Sequence, residues 1–376
     1  MSLAKLLSSV QIELRDYQLR LGEKALAMYR GPFQDRHGRQ MQEVDSVLLE
    51  SPTGSGKTVM GLSIAKFMEQ EYGYRVGWVA MRRNLLAQAA TENRHHQFDV
   101  DLRLISMFDR NPPEVDFLVV DEAQHDGARS MASLHAAVQP KKLLGLTATP
   151  FRSDRVKLCF EQVIADVGIE QLIQLGFLSR YHHFTIDDYT PVSVAAHFLG
   201  DRDRWGKSLL FFHRLEQCLE CQRHLGESGV RAEVVTARSN REQQLEEFQT
   251  GRIPVLISMA ILAEGFDCPE LKTVFCRPSG RGCTIQMCGR VFRKFENLPH
   301  KQIVQSRNTR YPITRSATPD AQYVWVDGSW RSLTANQHVA ELSMNTLQVV
   351  AKCQPRLPEL LMNRRPSRGQ RRYWSR

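Results

Sequence analysis

One run of small residues ending in a cation, Ser51-Pro52-Thr53-Gly54-Ser55-Gly56-Lys57-Thr58, has the spacing of a phosphate-binding loop. Its glycines let the backbone amides of Thr53 to Thr58 wrap phosphate oxygens at the start of a helix. Lys57 would neutralise the β- and γ-phosphates of a nucleotide, and the Thr58 hydroxyl is a hard oxygen donor suited to Mg²⁺. The first glycine of the general pattern is replaced by Ser51. A nucleotide hydrolase also needs a carboxylate facing the metal at the end of a neighbouring strand, and Phe117-Leu118-Val119-Val120 leads straight into Asp121-Glu122-Ala123-Gln124-His125. Asp121 would hold the metal, and Glu122 would orient and deprotonate the attacking water. The two segments together point to hydrolysis rather than binding alone.

Positioning these groups requires strands and helices in alternation. Short apolar, β-branched runs recur at Ser46 to Leu49, Val76 to Ala80, Leu102 to Ser106, Phe117 to Val120 and Leu143 to Leu146, as buried parallel strands do. Helical spacing lies between them, for example Val59, Leu62, Ile64, Ala65 and Met68, or Leu85, Leu86 and Ala89. The alternation pauses after Tyr181, where two histidines, Asp187-Asp188, Pro191 and Gly200 read as a linker. It resumes at Leu209 to Phe212, Ala232 to Val235, Val255 to Ile257 and Thr273 to Phe275. The expected organisation is α/β: a first ATP-binding domain over 1–182, a linker over 183–204, a second domain over 205–330 and an extension over 331–376. One further strand is expected at Gln322 to Val326, with Trp325 and Trp330 either in a packed hairpin or stacking on bases.

With the loop, Asp121 to His125 and Leu146-Thr147-Ala148-Thr149-Pro150 in this order, the chain resembles the superfamily 2 helicases at motifs I, II and III. Ala263-Glu264-Gly265-Phe266-Asp267-Cys268-Pro269 is similar to motif V, and Gln286-Met287-Cys288-Gly289-Arg290-Val291-Phe292-Arg293 to motif VI. Leu14-Arg15-Asp16-Tyr17-Gln18 looks like the adenine-contacting segment and Met81-Arg82-Arg83-Asn84-Leu85-Leu86 like motif Ia. The match spans about residues 12 to 295, and the spelling is closest to the RadD-like and restriction-motor branch. The resemblance implies two tandem RecA-like parallel-sheet domains, with ATP and Mg²⁺ between them. It implies that Gln18 reads the adenine edge beside Arg15, that Gly265 and Asp267 belong to the nucleotide site, and that His125, Thr147 and Thr149 couple ATP state to domain closure. It also implies that Gln286, Arg290 and Arg293 come from the second domain, the two arginines approaching the γ-phosphate.

The implied activity is an ATP-driven helicase or translocase, with DNA favoured over RNA because motif II is not Asp-Glu-Ala-Asp and motif VI opens on Gln286. An RNA remodeller, or an ATP-gated clamp serving a partner nuclease, are the competing readings. Arg82 and Arg83, with Thr236 and Ser258 near strand ends, are candidates for backbone contacts, although serine and threonine there are as often caps.

The 50 Lys+Arg exceed the 41 Asp+Glu by nine charges. Seven arginines against Glu359 place six of these between Pro355 and Arg376, a tail suited either to nucleic-acid phosphates or to solubility. No run reaches the ~18 apolar residues of a membrane span, and eight scattered cysteines do not suggest a disulfide scaffold. The expectation is a cytoplasmic chain without a membrane partner, a monomer or a subunit of a larger nucleic-acid-processing assembly. Cys218 and Cys221 have paired spacing but no second pair, and the segment is read as a helix whose inward face is Leu215, Cys218, Leu219, Gln222 and Leu225.

Overall fold

The computed structural model describes residues 2–35, 37–125, 129–149, 160–259 and 268–333. Two parallel sheets follow one another along the chain. The first contains β1 (Ser46–Glu50), β2 (Val76–Ala80), β3 (Leu102–Ser106), β4 (Phe117–Asp121), β5 (Lys142–Thr147) and β6 (Gln162–Ala165). Their spatial order is β3-β2-β4-β5-β1-β6, and every pairing is parallel. β2 and β4 are buried along their whole length, which is why they read as unbroken apolar runs. Helices α1 (Asp16–Arg30), α2 (Lys57–Tyr72) and α3 (Arg83–His95) bury Leu21, Leu26, Leu62, Ile64, Leu85 and Ala89 toward one sheet face.

The second sheet contains β7 (Arg180–Ile186), β8 (Ser208–Phe211), β9 (Ala232–Val235), β10 (Val255–Ser258), β11 (Thr273–Cys276), β12 (His300–Ser306), β13 (Ala321–Val326) and β14 (Ser329–Ser332). The order is β9-β10-β8-β11-β12-β7-β13-β14, parallel except for the closing hairpin. Helices α4 (Pro191–Gly200) and α5 (Leu215–Glu227) pack on one face, while α6 (Arg241–Gln249) and α7 (Arg281–Gly289) send Phe248, Ile285 and Met287 into the core of the other. One buried apolar cluster runs from Val47 and Leu49 in the first sheet to Leu209 and Val274 in the second. These are the two tandem RecA-like parallel-sheet units.

Several expectations are corrected. Residues 183–204, expected as a linker, continue β7 and then form α4, whose Val194, Ala195 and Phe198 are in the second core. The second sheet therefore begins at Arg180. His182 and His183 are strand residues, not part of a linker; His183 is buried and its Nε2 lies 3.2 Å from Gln305 Oε1. On α5 the inward face is Cys218, Cys221 and Leu225, whereas Leu215 and Leu219 are exposed. Burial pushes the Cys218 thiol up to about 11 and that of Cys221 to about 12, as for inert core cysteines. Trp325 and Trp330 face each other across the β13–β14 hairpin, with ring centroids 5.0 Å apart. The arginine-rich tail lies outside the described residues, and among those described no helix is long and apolar enough to cross a membrane.

Candidate active site

The phosphate-binding loop connects β1 to α2 and is shaped by two left-handed residues, Gly54 at φ 83° and Gly56 at φ 80°. A side chain at Gly56 would be strained in any case, and its Cβ would stand 2.5 Å from Gln18 Nε2. The loop is braced from behind. Tyr17 Oη donates to the Ser55 carbonyl at 2.7 Å and Gln18 Nε2 donates to the same oxygen at 2.8 Å, while the Ser51 and Ser55 hydroxyls lie 2.7 Å apart. Gln18 Oε1 takes the Arg15 backbone N–H at 2.9 Å, so both ends of this buried amide are used inside the protein. Gln18 thus supports the loop from behind. Arg15 lines the cleft before the loop, with its guanidinium 4.2 Å above the Phe177 ring.

In front of the loop is a cleft of about 370 Å³ to which both units contribute. Thr53, Gly54, Gly56, Lys57 and Thr58 form one wall, Asp121 and Glu122 another, and Arg290 and Arg293 arrive from beyond α7. Desolvation pushes the Lys57 ammonium below its usual range; Glu122 and Asp121 oppose that shift, and Arg290 and Arg293 add to it. All four charges are therefore within electrostatic reach of one amine. Asp121 is pushed well above the ordinary carboxylate range, first by desolvation and then by Glu122, with Lys57 opposing. Desolvation also lowers the Arg293 guanidinium to about 10, against the pull of Glu92 on α3.

Glu122 sits at φ 53°, a left-handed conformation that costs a non-glycine residue about 1–2 kcal/mol. The turn directs its carboxylate toward Gln124, whose Nε2 donates to Glu122 Oε2 at 2.8 Å. Gln124 Oε1 lies 2.7 Å from the Thr147 hydroxyl at the end of β5, and that hydroxyl accepts the Thr149 N–H at 3.0 Å. A continuous hydrogen-bonded chain thus runs from Glu122 to Thr149, buried from Gln124 onward. Thr147 and Thr149 were expected to couple; Gln124, the link between them and Glu122, was not singled out. Ser55 is fully buried behind the loop. Gln286 is on α7 one turn before Arg290 and is absent from the cleft lining.

The segment between the units was also missed. Ser179 N–H donates to the Phe292 carbonyl at 2.7 Å and Ser179 Oγ to that of Arg293 at 3.1 Å. Phe177 and Leu178 line the cleft, and a Cβ built on Gly54 would meet Leu178 Cδ2 at 3.0 Å. Residues 177–179 thus tie the phosphate loop to the arginine-bearing turn. Nothing in the local sequence signals this, because each contact is long-range.

Arg82 and Arg83 cap and open α3 at the carboxyl end of β2, where Arg83 is exposed. The Thr236 hydroxyl accepts the N–H groups of Arg238 and Ser239, each at 3.1 Å, so it is occupied by its own turn. Ser258 is buried, and among the described residues its Oγ has no hydrogen-bond partner. Gly265, Asp267 and the side chain of His125 lie outside the described residues.

Residues 11–101 match the family described as type III restriction enzyme, res subunit, and residues 191–294 match the helicase conserved C-terminal domain. A 51.5 kDa protein of a Lactococcus phage is 26% identical over 62% of this chain and 59% of its own length. IRC3 of Saccharomyces cerevisiae, which carries an ATP-dependent helicase name, is 22% identical over 67% of this chain and 47% of its own. The chain thus spans about half the length of these curated relatives. The structure of the ATP-dependent type ISP restriction-modification enzyme LlaBIII bound to DNA shares the fold, with a TM-score of 0.57 at 16% identity over 81% of this chain and 28% of that one. Two helicase-type matches in tandem, in family order and around one charged cleft, make this chain similar to the superfamily 2 helicases, and over residues 11–101 to the type III restriction enzyme res subunit.

Proposed function

We propose that the protein is an ATP-dependent nucleic-acid helicase or translocase acting on DNA, a monomer or the motor part of a larger assembly. One observation carries this reading: charges from both units converge on Lys57 in a single cleft. Lys57 and the loop amides hold the phosphates of ATP. Glu122 takes a proton from water as it attacks the γ-phosphorus and the bond to the β-phosphate oxygen breaks. Arg290 and Arg293 meet the charge that spreads over the equatorial oxygens, an effect worth about 10³–10⁵ in rate for arginines delivered this way. Arg15 and Phe177 flank the position of the base.

The residues also fit Mg²⁺. Asp121 and Glu122 are held together in a desolvated cleft with Thr58, an all-oxygen donor set whose crowded negative charge a hard divalent cation would neutralise. When bound there, the ion would screen the phosphates during transfer. The path Glu122–Gln124–Thr147–Thr149 gives the site a route for sensing a strand bound nearby. The DNA preference is supported by motif spelling and by the DNA-bound restriction enzyme of like fold, of which this chain covers only a part. The test is ATP hydrolysis with single-stranded DNA, duplex DNA and RNA compared side by side: stimulation by DNA is expected, stimulation by RNA alone overturns the DNA assignment, and no hydrolysis under any condition overturns the motor reading.

A further inference from the structure

Helix α7 of the second unit meets the connection that carries the phosphate loop at both of its ends. At the carboxyl end a Cβ on Gly289 would stand 3.0 Å from Thr53 Cβ and Oγ1, and Arg290 follows into the ATP cleft. The amino end borders a second space between the units, a cavity of about 410 Å³. Glu50, Pro52 and Ala148 line it from the first unit, and Arg281, Ile285 and Arg315 from the second. From Arg281 to Gly289 the helix rises roughly 12 Å, at about 1.5 Å per residue. From Glu50 to Thr53 the chain spans at most about 10–11 Å. Helix and connection are thus matched in length, and one rod can register against two points of the loop connection at once.

Glu50 is the last residue of β1 and directly precedes the loop. Its neighbours across the sheet, Thr147 on β5 and Ala165 on β6, carry no charge. Burial pushes its carboxyl above the ordinary range, and Arg281 opposes that shift. The guanidinium that a half-buried carboxylate feels therefore belongs to the other unit. Other charges of the cavity are engaged elsewhere: Asp166 pairs with Arg20 at 2.7 Å, and the Arg315 guanidinium lies 5.8 Å from the Tyr311 ring centroid. Among the described residues neither Glu50 nor Arg281 is in an ion pair. The first turn of α7 lies against the first unit, since a Cβ on Gly282 would be 3.9 Å from Thr149 Cγ2, and the positive end of the helix adds to the charge of Arg281. A carboxylate withdrawn from water is unfavourable until a counter-charge reaches it, and here the facing unit holds one.

We propose that Glu50 and Arg281 are a latch between the units: the movement that carries Arg290 and Arg293 to the γ-phosphate also sets the Arg281 guanidinium on the Glu50 carboxylate, and this pair holds the reactive arrangement. This rests on the ATP-motor reading above. Neither residue lines the ATP cleft, so both are positioning residues. Because α7 is one short rigid helix, fixing its amino end on Glu50 fixes how Gly289 and the two arginines beyond it meet the loop. The pair exists only when the units are closed, so it acts on kcat, while the affinity for ATP set by Lys57 and the loop amides changes little. Arg281 is exposed, which puts the effect at the low end for a charged hydrogen bond, about tenfold in rate.

The experiment measures ATP hydrolysis by the full chain, with and without single-stranded DNA, in Glu50→Gln, Arg281→Gln and the double variant, beside equilibrium ATP binding. Each single variant should lose about tenfold in kcat with ATP affinity within about twofold of wild type, and the double variant should lose no more than either single one, because both remove the same contact. Arg315→Gln removes another cation from the same cavity and should keep the wild-type kcat. Arg281 is exposed, so its variant remains a test if Glu50→Gln fails to fold. A wild-type kcat in Arg281→Gln, or losses that multiply in the double variant, overturn the latch and leave the motor reading standing. A wild-type chain that hydrolyses no ATP under any condition overturns the motor reading, and the latch with it.

Discussion

Gly289→Ala tests whether the second unit must press directly on the phosphate loop for turnover. A Cβ at Gly289 would stand 3.0 Å from both Cβ and Oγ1 of Thr53. Carbon atoms in contact settle at about 3.5–4.0 Å, so the turn carrying Arg290 and Arg293 must retreat by roughly 0.5–1 Å. Rotating Thr53 does not relieve this, because its Cβ is one of the two atoms met. A misplacement of about 1 Å at reacting groups costs on the order of 100-fold in rate, or about 2.7 kcal/mol. Gly289→Ala should therefore lower kcat by about 10- to 100-fold, and Gly289→Val by more, while nucleotide affinity changes little because Lys57 and the loop amides belong to the first unit. Gly282→Ala is the control on the same helix: its Cβ meets only Thr149 Cγ2, at an ordinary 3.9 Å, and kcat should stay at the wild-type level. Steady-state hydrolysis with saturating nucleic acid, alongside nucleotide binding, separates the effects. A wild-type kcat in Gly289→Ala would refute the reasoning.

Glu122→Gln should still bind ATP but hydrolyse it about 10²–10⁴-fold more slowly, checked by equilibrium nucleotide binding beside single-turnover hydrolysis. Gln124→Leu breaks the bridge between Glu122 and Thr147 at nearly constant volume; stimulation by nucleic acid should fall about tenfold, for a hydrogen bond of about 1–1.5 kcal/mol, with basal hydrolysis less affected. Lys301→Met should lower stability by about 2–4 kcal/mol in urea unfolding, because Lys301 Nζ donates to the Pro269 carbonyl at 2.5 Å and that of Leu271 at 2.7 Å, and both oxygens would be left unsatisfied.

Lys301 also shows where the sequence was legible and where it was not. Strands such as Val76–Ala80, buried on both faces, appear as unbroken apolar runs, and their limits in the structure match the run. β7 and β12 are just as central but were passed over, because Arg180, His182 and His183 in one and Lys301, Gln302 and Gln305 in the other break the apolar pattern. Each of the buried polar groups is answered by a partner far along the chain or in a neighbouring turn: Lys301 by two carbonyls, Gln305 by the Ile313 N–H at 2.9 Å, His183 by Gln305. Polarity in a strand excludes burial only when such partners are missing, and a single sequence does not display them.

The site divides along the same line. The phosphate loop was readable because the groups that make it are consecutive, and Asp121 with Glu122 because an apolar strand delivers them. Gln124 lies within the same motif, yet its role depends on Thr147, which belongs to another strand. Phe177 and Ser179 matter because the chain crosses between the units beside Gly54 and Arg293. His213 and Arg277 are brought together only by the reversal of strand order in the second sheet. The first sheet places its phosphate loop at the carboxyl ends of its strands, and the second places His213 and Arg277 at the corresponding ends. Sequence motifs describe chemistry held on one connection, whereas the coupling of two such sheets is carried by residues whose neighbours come from other connections, and those residues are where variants best separate binding from turnover.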